Sequence, residues 1–235
     1  AEIFVSDKTT LNYEFAYSKT DINTFSKLDS DDDSGFAFKT GVKQAFVKTD
    51  KLWFGAFADY EFMQKDFRAI ENFKSTEFTR DWNISSLYSG ANENYLSGGL
   101  TFNDKKHGRA LLNTSWLDRG ALYSGLQNLI KTDLNYGRWS LAGMASYLTS
   151  EDILSESGFL RHDLQVSGNF RLLRLGIGES AEDNRRRSAT TDSLTANSFR
   201  FNSYNAFVQT ADSLKIPVKL NYKYREDYLP KSNSL

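Results

Sequence analysis

The sequence predicts an all-β fold. It is an antiparallel, up-and-down sheet of about twelve strands that closes as a transmembrane β-barrel, or forms a segment of a larger one. Three observations lead there. Apolar residues recur at every second position nearly end to end, the period of a strand with one greasy face and one wet face. The chain is 14% aromatic with only two prolines, a mix that favours strands over helices. Its longest apolar runs are of the type LWFGAFA (52–58), far short of the ~20 residues a membrane helix needs. Strands that cross a bilayer expose only alternate residues to lipid, so a mean hydropathy of −0.53 does not argue against a barrel.

The elements follow in order. Leu11, Tyr13, Phe15 and Tyr17 alternate with Asn12, Glu14, Ala16 and Ser18. GFAFKTGVKQAFV (35–47) comes after an acidic stretch, and KLWFGAFADYEFM (51–63) sets Leu52, Phe54, Ala56, Ala58, Tyr60 and Phe62 on one face. STEFTRDWNIS (75–85) is a further strand candidate. Then come NYLSGGLTF (94–102), GRALLNTSWL (108–117), ALYSGLQNLIKTDL (121–134) and RWSLAGMASYLT (138–149). The last group is FLRHDLQVSGNF (159–170), RLLRLGIGES (171–180), NSFRFNSYNAFVQT (197–210) and LKIPVKLNYKYRED (214–227). KTDK, NDKKHG, LDRG, NYGR and TADS read as tight turns. Residues 19–33, 85–94, 149–158 and 180–196 read as longer polar connections. Three short turns in succession between 103 and 138 interrupt the alternation of long and short. No linker or repeat divides residues 1–235, so they form one domain.

Where the aromatics sit separates a membrane barrel from a soluble sandwich, which shares the alternating pattern. Barrels place Tyr and Trp at both ends of the apolar band. Trp139, Leu141, Gly143, Ala145 and Tyr147 follow that order, and the last strand runs aliphatic from Leu214 to Leu220 before Tyr222 and Tyr224. Small residues mid-face suit lipid, which fills any shape, better than a core that needs packing volume. The opposite face carries Lys215, Lys219, Lys223 and Arg225 on the last strand, and Arg161, Asp163, Gln165, Ser167 and Asn169 on another. In a barrel these line the lumen, where the lysine row would favour anions. Trp53, Phe57 and Met63 face the same way as the polar set and point to partial filling.

Residues 66–84 (DFRAIENFKSTEFTRDWNI) and GESAEDNRRR, together with ten-residue strands ending in aromatics, Asp/Asn/Ser-rich connections and no cysteine, resemble Gram-negative outer-membrane β-barrel proteins. The likeness is specifically to the large outer-membrane barrel proteins of Bacteroidota. It implies an outer-membrane location, lipid as the immediate partner, protein partners in a membrane complex, and a segment of a longer barrel protein. It implies no activity.

The remaining motifs each have a plainer reading beside the chemical one. DSDDDSG (29–35) starts like a calcium loop through Asp29, Asp31 and Asp33. Ser34 then stands where that loop needs glycine and Thr40 where it needs glutamate, so a solvated acidic connection is favoured. GIGESA (176–181) fits a dinucleotide fingerprint, but EDNRRRSATTDS after it has no helical periodicity, which leaves Gly176 and Gly178 as strand glycines. His107 lies in a turn. His162 shares a face with Leu160, Leu164 and Val166 and, by parity, points away from Asp163. Outer-membrane phospholipases and omptin proteases, the enzymatic alternative, need a nucleophile or paired acids at a histidine. Arg185, Arg186 and Arg187 would contact a partner or lipopolysaccharide phosphate, or be neutralised by Glu179, Glu182 and Asp183. A net charge of −1 gives no footprint for nucleic acid. The expectation is a non-enzymatic outer-membrane component of transport or assembly, or a scaffold in an envelope complex. It has no cofactor, and the 19–33 and 180–196 stretches are its contact surfaces. The alternative is a soluble extracytoplasmic sheet module that binds carbohydrate or protein.

Overall fold

The computed structural model describes residues 1–19, 34–69, 74–75, 77–84, 90–210 and 216–228. It is all-β: twelve antiparallel strands in one sheet, ordered β1 to β12 exactly as in the sequence, each hydrogen-bonded to its chain neighbours. They are β1 Glu2–Ser6, β2 Thr9–Lys19, β3 Ser34–Lys48, β4 Leu52–Met63, β5 Glu93–Asp104, β6 Gly108–Asp118, β7 Tyr123–Tyr136, β8 Trp139–Asp152, β9 Ser155–Asn169, β10 Leu173–Ser188, β11 Phe199–Thr210 and β12 Lys219–Tyr228. The sheet is not closed: among the described residues β1 and β12 do not pair. The expected strand number is met by a different set. Glu2–Ser6 is a strand that its short apolar run did not announce. The described residues of 75–85 contain no strand, but a one-turn helix, α1 Phe78–Asp81.

Two of the connections expected to be long are strand. Polar as they are, residues 149–152, 155–158 and 180–188 continue the ladders of β8, β9 and β10, with Glu151 opposite Glu156 and Arg187 opposite Glu156. Backbone pairing tolerates any side chain that water can reach, so a polar stretch beside a paired neighbour stays extended. The short turns KTDK, NDKKHG, LDRG and NYGR are as expected, and TADS beyond Thr210 lies outside the described residues. Tyr136 pairs Trp139 across Gly137–Arg138, and Gly137, with φ 61, takes the left-handed conformation that a two-residue hairpin asks of glycine. Gly176 and Gly178 lie within β10. A side chain at Gly176 would strike the ring of Phe207, its partner on β11, which is a reason for glycine there without any phosphate.

One face of the sheet is apolar and exposed on every strand, for example Phe15, Leu96, Leu112, Leu126, Ile130, Leu164, Ile177 and Tyr222. The other is polar, and what core exists lies there. Trp82 packs with Leu117, Tyr123, Leu148 and Phe159 near the end of the sheet where β4 finishes and β5 begins. Residues 77–84 touch β5 through Tyr95, and β10 through Glu182 and Asn184. Six flat strands would span about 24 Å, whereas a helix with its side chains is about 10 Å across. The sheet therefore curls toward its polar face around this segment.

Candidate membrane interface and the charged knot behind it

Strand register puts the aromatic residues of the apolar face into a pattern. The residues directly across from Tyr147, going back along the sheet, are Asn128, Thr114, Gly98, Ala58, Val42 and Leu11. None is aromatic. Trp116 on β6 lies two residues beyond this row, Phe62 on β4 four beyond, and Tyr17 on β2 six beyond, all toward the same end of the sheet. In the other direction the row passes Leu160, Asp183 and Arg200 to Tyr228, and Tyr224 on β12 lies four residues short of it. Phe36 and Phe38 on β3, and Tyr204 on β11, flank the line where it passes between outward positions.

The aromatic row thus steps by one residue per strand. A rise of about 3.3 Å over a spacing of about 4.8 Å inclines the strands by about 35° to the normal of that belt, the inclination of strands in membrane barrels. A second belt runs parallel to the first: Trp139 precedes Tyr147 by eight residues, and Phe54 precedes Phe62 by eight. Phe46 lies tilted beside Phe54 at 5.5 Å, and Phe170 meets Trp139 edge-on at 6.2 Å. Eight residues at that inclination give a height of about 22 Å, against the ~25 Å apolar band of outer-membrane barrels.

Between the belts the outward side chains are mostly aliphatic, aromatic or small, and the larger polar ones, Gln44 and Asn128, are paired. Thr114 Oγ1 donates to Asn128 Oδ1 at 2.8 Å. The ionisable residues described there are His162 and Glu179, diagonal neighbours whose Nε2 and Oε1 are 3.8 Å apart. Once the one-residue stagger is followed across β9 and β10, His162 falls at the aromatic line itself.

On the polar face a knot of charge surrounds the buried cluster. Arg80 donates to Glu182 at 2.6 and 2.8 Å. Arg161 Nη1 donates to Asp81 Oδ1 at 2.8 Å. Asn83 and Asn184 exchange amide hydrogen bonds at 3.0 and 2.8 Å, and Asn83 also donates to Ser157 at 3.1 Å. Tyr123 Oη donates to the Trp82 carbonyl at 2.5 Å. Glu93, almost wholly buried, lies 2.9 Å from Lys74 Nζ and 2.6 Å from Arg119 Nη2. Sequence reasoning missed this knot. Its one local signal is Phe78 and Trp82, four apart on the same side of a helical turn.

Of the residues singled out from sequence, Lys219, Lys223 and Arg225 project from the polar face of β12, and Arg225 is held by Asp227 at 2.6 Å above the ring of Phe201. Lys215, Asp29, Asp31 and Asp33 lie outside the described residues. The three arginines do not form one cluster. Arg185 and Arg187 leave the apolar side beyond the aromatic line, paired with Asp183 and Asp192, while Arg186 turns inward to Asp152 at 2.6 Å. His107 Nδ1–H donates to the Asp104 carboxylate at 3.0 Å, and its ring stacks on Tyr136. Among the described residues no group of histidines and acids is arranged to hold a metal. Comparison with protein-family models and with curated proteins finds no match.

Proposed function

We propose that this chain is a membrane-spanning part of an outer-membrane β-barrel, non-enzymatic, acting in transport or assembly or as a scaffold within an envelope complex. The observation that supports it best is the pair of parallel aromatic belts, stepping one residue per strand and enclosing an uncovered apolar band. A soluble sheet has no reason to align its aromatics at a constant height, because a packed core rewards volume and not position along a bilayer normal. Hydrocarbon covers the apolar face, and the polar face lines a hydrated lumen. Beyond the belts, Arg185 and Arg187 stand at the height of lipid headgroups, where guanidinium groups meet phosphate. The strand ends on that side offer surface to protein partners.

Behaviour in detergent and lipid tests this. The chain expressed with an outer-membrane address should fractionate with the outer membrane, need detergent for solubility, and migrate differently on a gel before and after heating. A chain that stays monomeric in plain buffer at high concentration would instead favour the soluble sheet module.

A further inference from the structure

We propose that residues 77–84 are an internal plug that narrows the lumen, anchored by Trp82 and held to β9 and β10 by the pairs Asp81–Arg161 and Arg80–Glu182. This rests on the barrel reading above. Lys74 lies 2.5 Å from Glu61 Oε1 near the end of β4, and residues 77–84 lie against the polar face of β5 to β10. A segment that merely linked β4 to β5 had no need to do so, because those strands are neighbours in the sheet. The contacts divide by chemistry. Trp82 is 3% exposed against Leu117, Tyr123, Leu148 and Phe159, and fixes the segment to one wall. Arg80 is half-exposed and reaches the largely buried Glu182 on β10, and Asp81 reaches the largely buried Arg161 on β9. Salt screens the pair at the half-exposed Arg80 more than the better-buried Asp81–Arg161 pair, and leaves the apolar anchor untouched. A helical turn with its side chains is about 10 Å across, and the sheet curls tightly enough for six strands to touch it. The passage past these strands is occupied.

The test is ion conductance of the full chain in planar bilayers. The double variant Arg80→Gln with Asp81→Asn removes both pairs and leaves Trp82 in place. It should raise single-channel conductance on the order of twofold or more, and high salt should raise the conductance of the unaltered protein by more than bulk conductivity explains. The chain has no cysteine, so Asn83→Cys with Ser157→Cys introduces one tether between the segment and β9. Built into the double variant, the oxidised tether should return conductance to the original level, and a reductant should release it. Heat-modifiable, membrane-inserted double variant with unchanged conductance, in both redox states of the tethered form, would overturn the plug while leaving the barrel intact. An unaltered protein that neither inserts nor shows heat-modifiable migration would overturn the barrel reading, and the plug with it.

Discussion

At the scale of single residues, the two faces of one strand make opposite demands on the same substitution. Leu112 stands in the middle of the apolar band on β6, nearly half exposed, while Asn221 is exposed on the polar face of β12. An arginine at a bilayer midplane costs about 2–4 kcal/mol, and one facing water costs little. Leu112→Arg should therefore lower stability in lipid vesicles by about 2–4 kcal/mol in denaturant titration, and Asn221→Arg by under about 0.5 kcal/mol. Equal effects would remove the distinction between the faces. A second residue-level effect lies where β5 turns into β6, at the second belt's end of the sheet. The His107 hydrogen bond, and after it the Lys106 backbone N–H, hold the Asp104 carboxyl below its ordinary value of 3.8. A carboxyl whose folded value is depressed stabilises the fold fully above the unfolded value and loses that contribution as pH falls through the folded value. In His107→Ala the Asp104 titration followed by NMR should move up toward 3.8, and the stability difference between the two proteins should shrink below about pH 4.

At the scale of elements, the strands were legible and the segment folded against them was not. Alternation alone located most of β2 to β12, because a half-buried strand writes its two faces into every second residue. It failed where sequence and face decouple. Polar residues 180–188 extend β10 because β9 offers a paired edge as far as Ser155, which no local pattern encodes. Residues 77–84 failed for the reverse reason. Phe78, Arg80, Trp82 and Ile84 alternate like a strand, yet Trp82 finds its place only in a cluster drawn from four distant strands. The lysine row of β12 and the orientation of His162 followed from parity and needed nothing more. Treating Arg185–Arg187 as one site overlooks that three consecutive strand residues necessarily point to alternate faces. The knot also defines the energetics of its element. Trp82→Ala should cost about 3–5 kcal/mol if the cluster is lost with it. Hydrogen exchange should then rise at Tyr123, Leu148 and Phe159, and stay unchanged at the turn end of the sheet near Trp139. A loss of protection spread over all strands would make the knot the nucleus of the whole fold rather than a local anchor.

At the scale of the whole molecule, the aromatic belts and the open edges bear on each other. The stagger of the belts became visible only with the register, since sequence gives parity within a strand but not the alignment between strands. An inclination of about 35° is what a sheet needs in order to close, yet β12 from Lys219 to Tyr228 has β11 on one side and no described strand on the other. In water such an edge is solvated. In hydrocarbon each unpaired backbone N–H or C=O costs several kcal/mol, so an edge ten residues long is excluded from the band. Placing this chain in a bilayer therefore requires the outer edge of β12 to find a partner strand, whichever chain supplies it. Hydrogen exchange should report this by parity. The β12 amides that bond to β11 should be protected in detergent and bilayer alike. The alternate amides, which point away from β11, should exchange freely in the isolated chain in water and become as slow as those of β8 once the protein is inserted. If the belts shield their side chains from water-soluble reagents while these alternate amides keep exchanging at the solvent rate, the strand lies against water within the membrane, and a spanning sheet of this kind is ruled out.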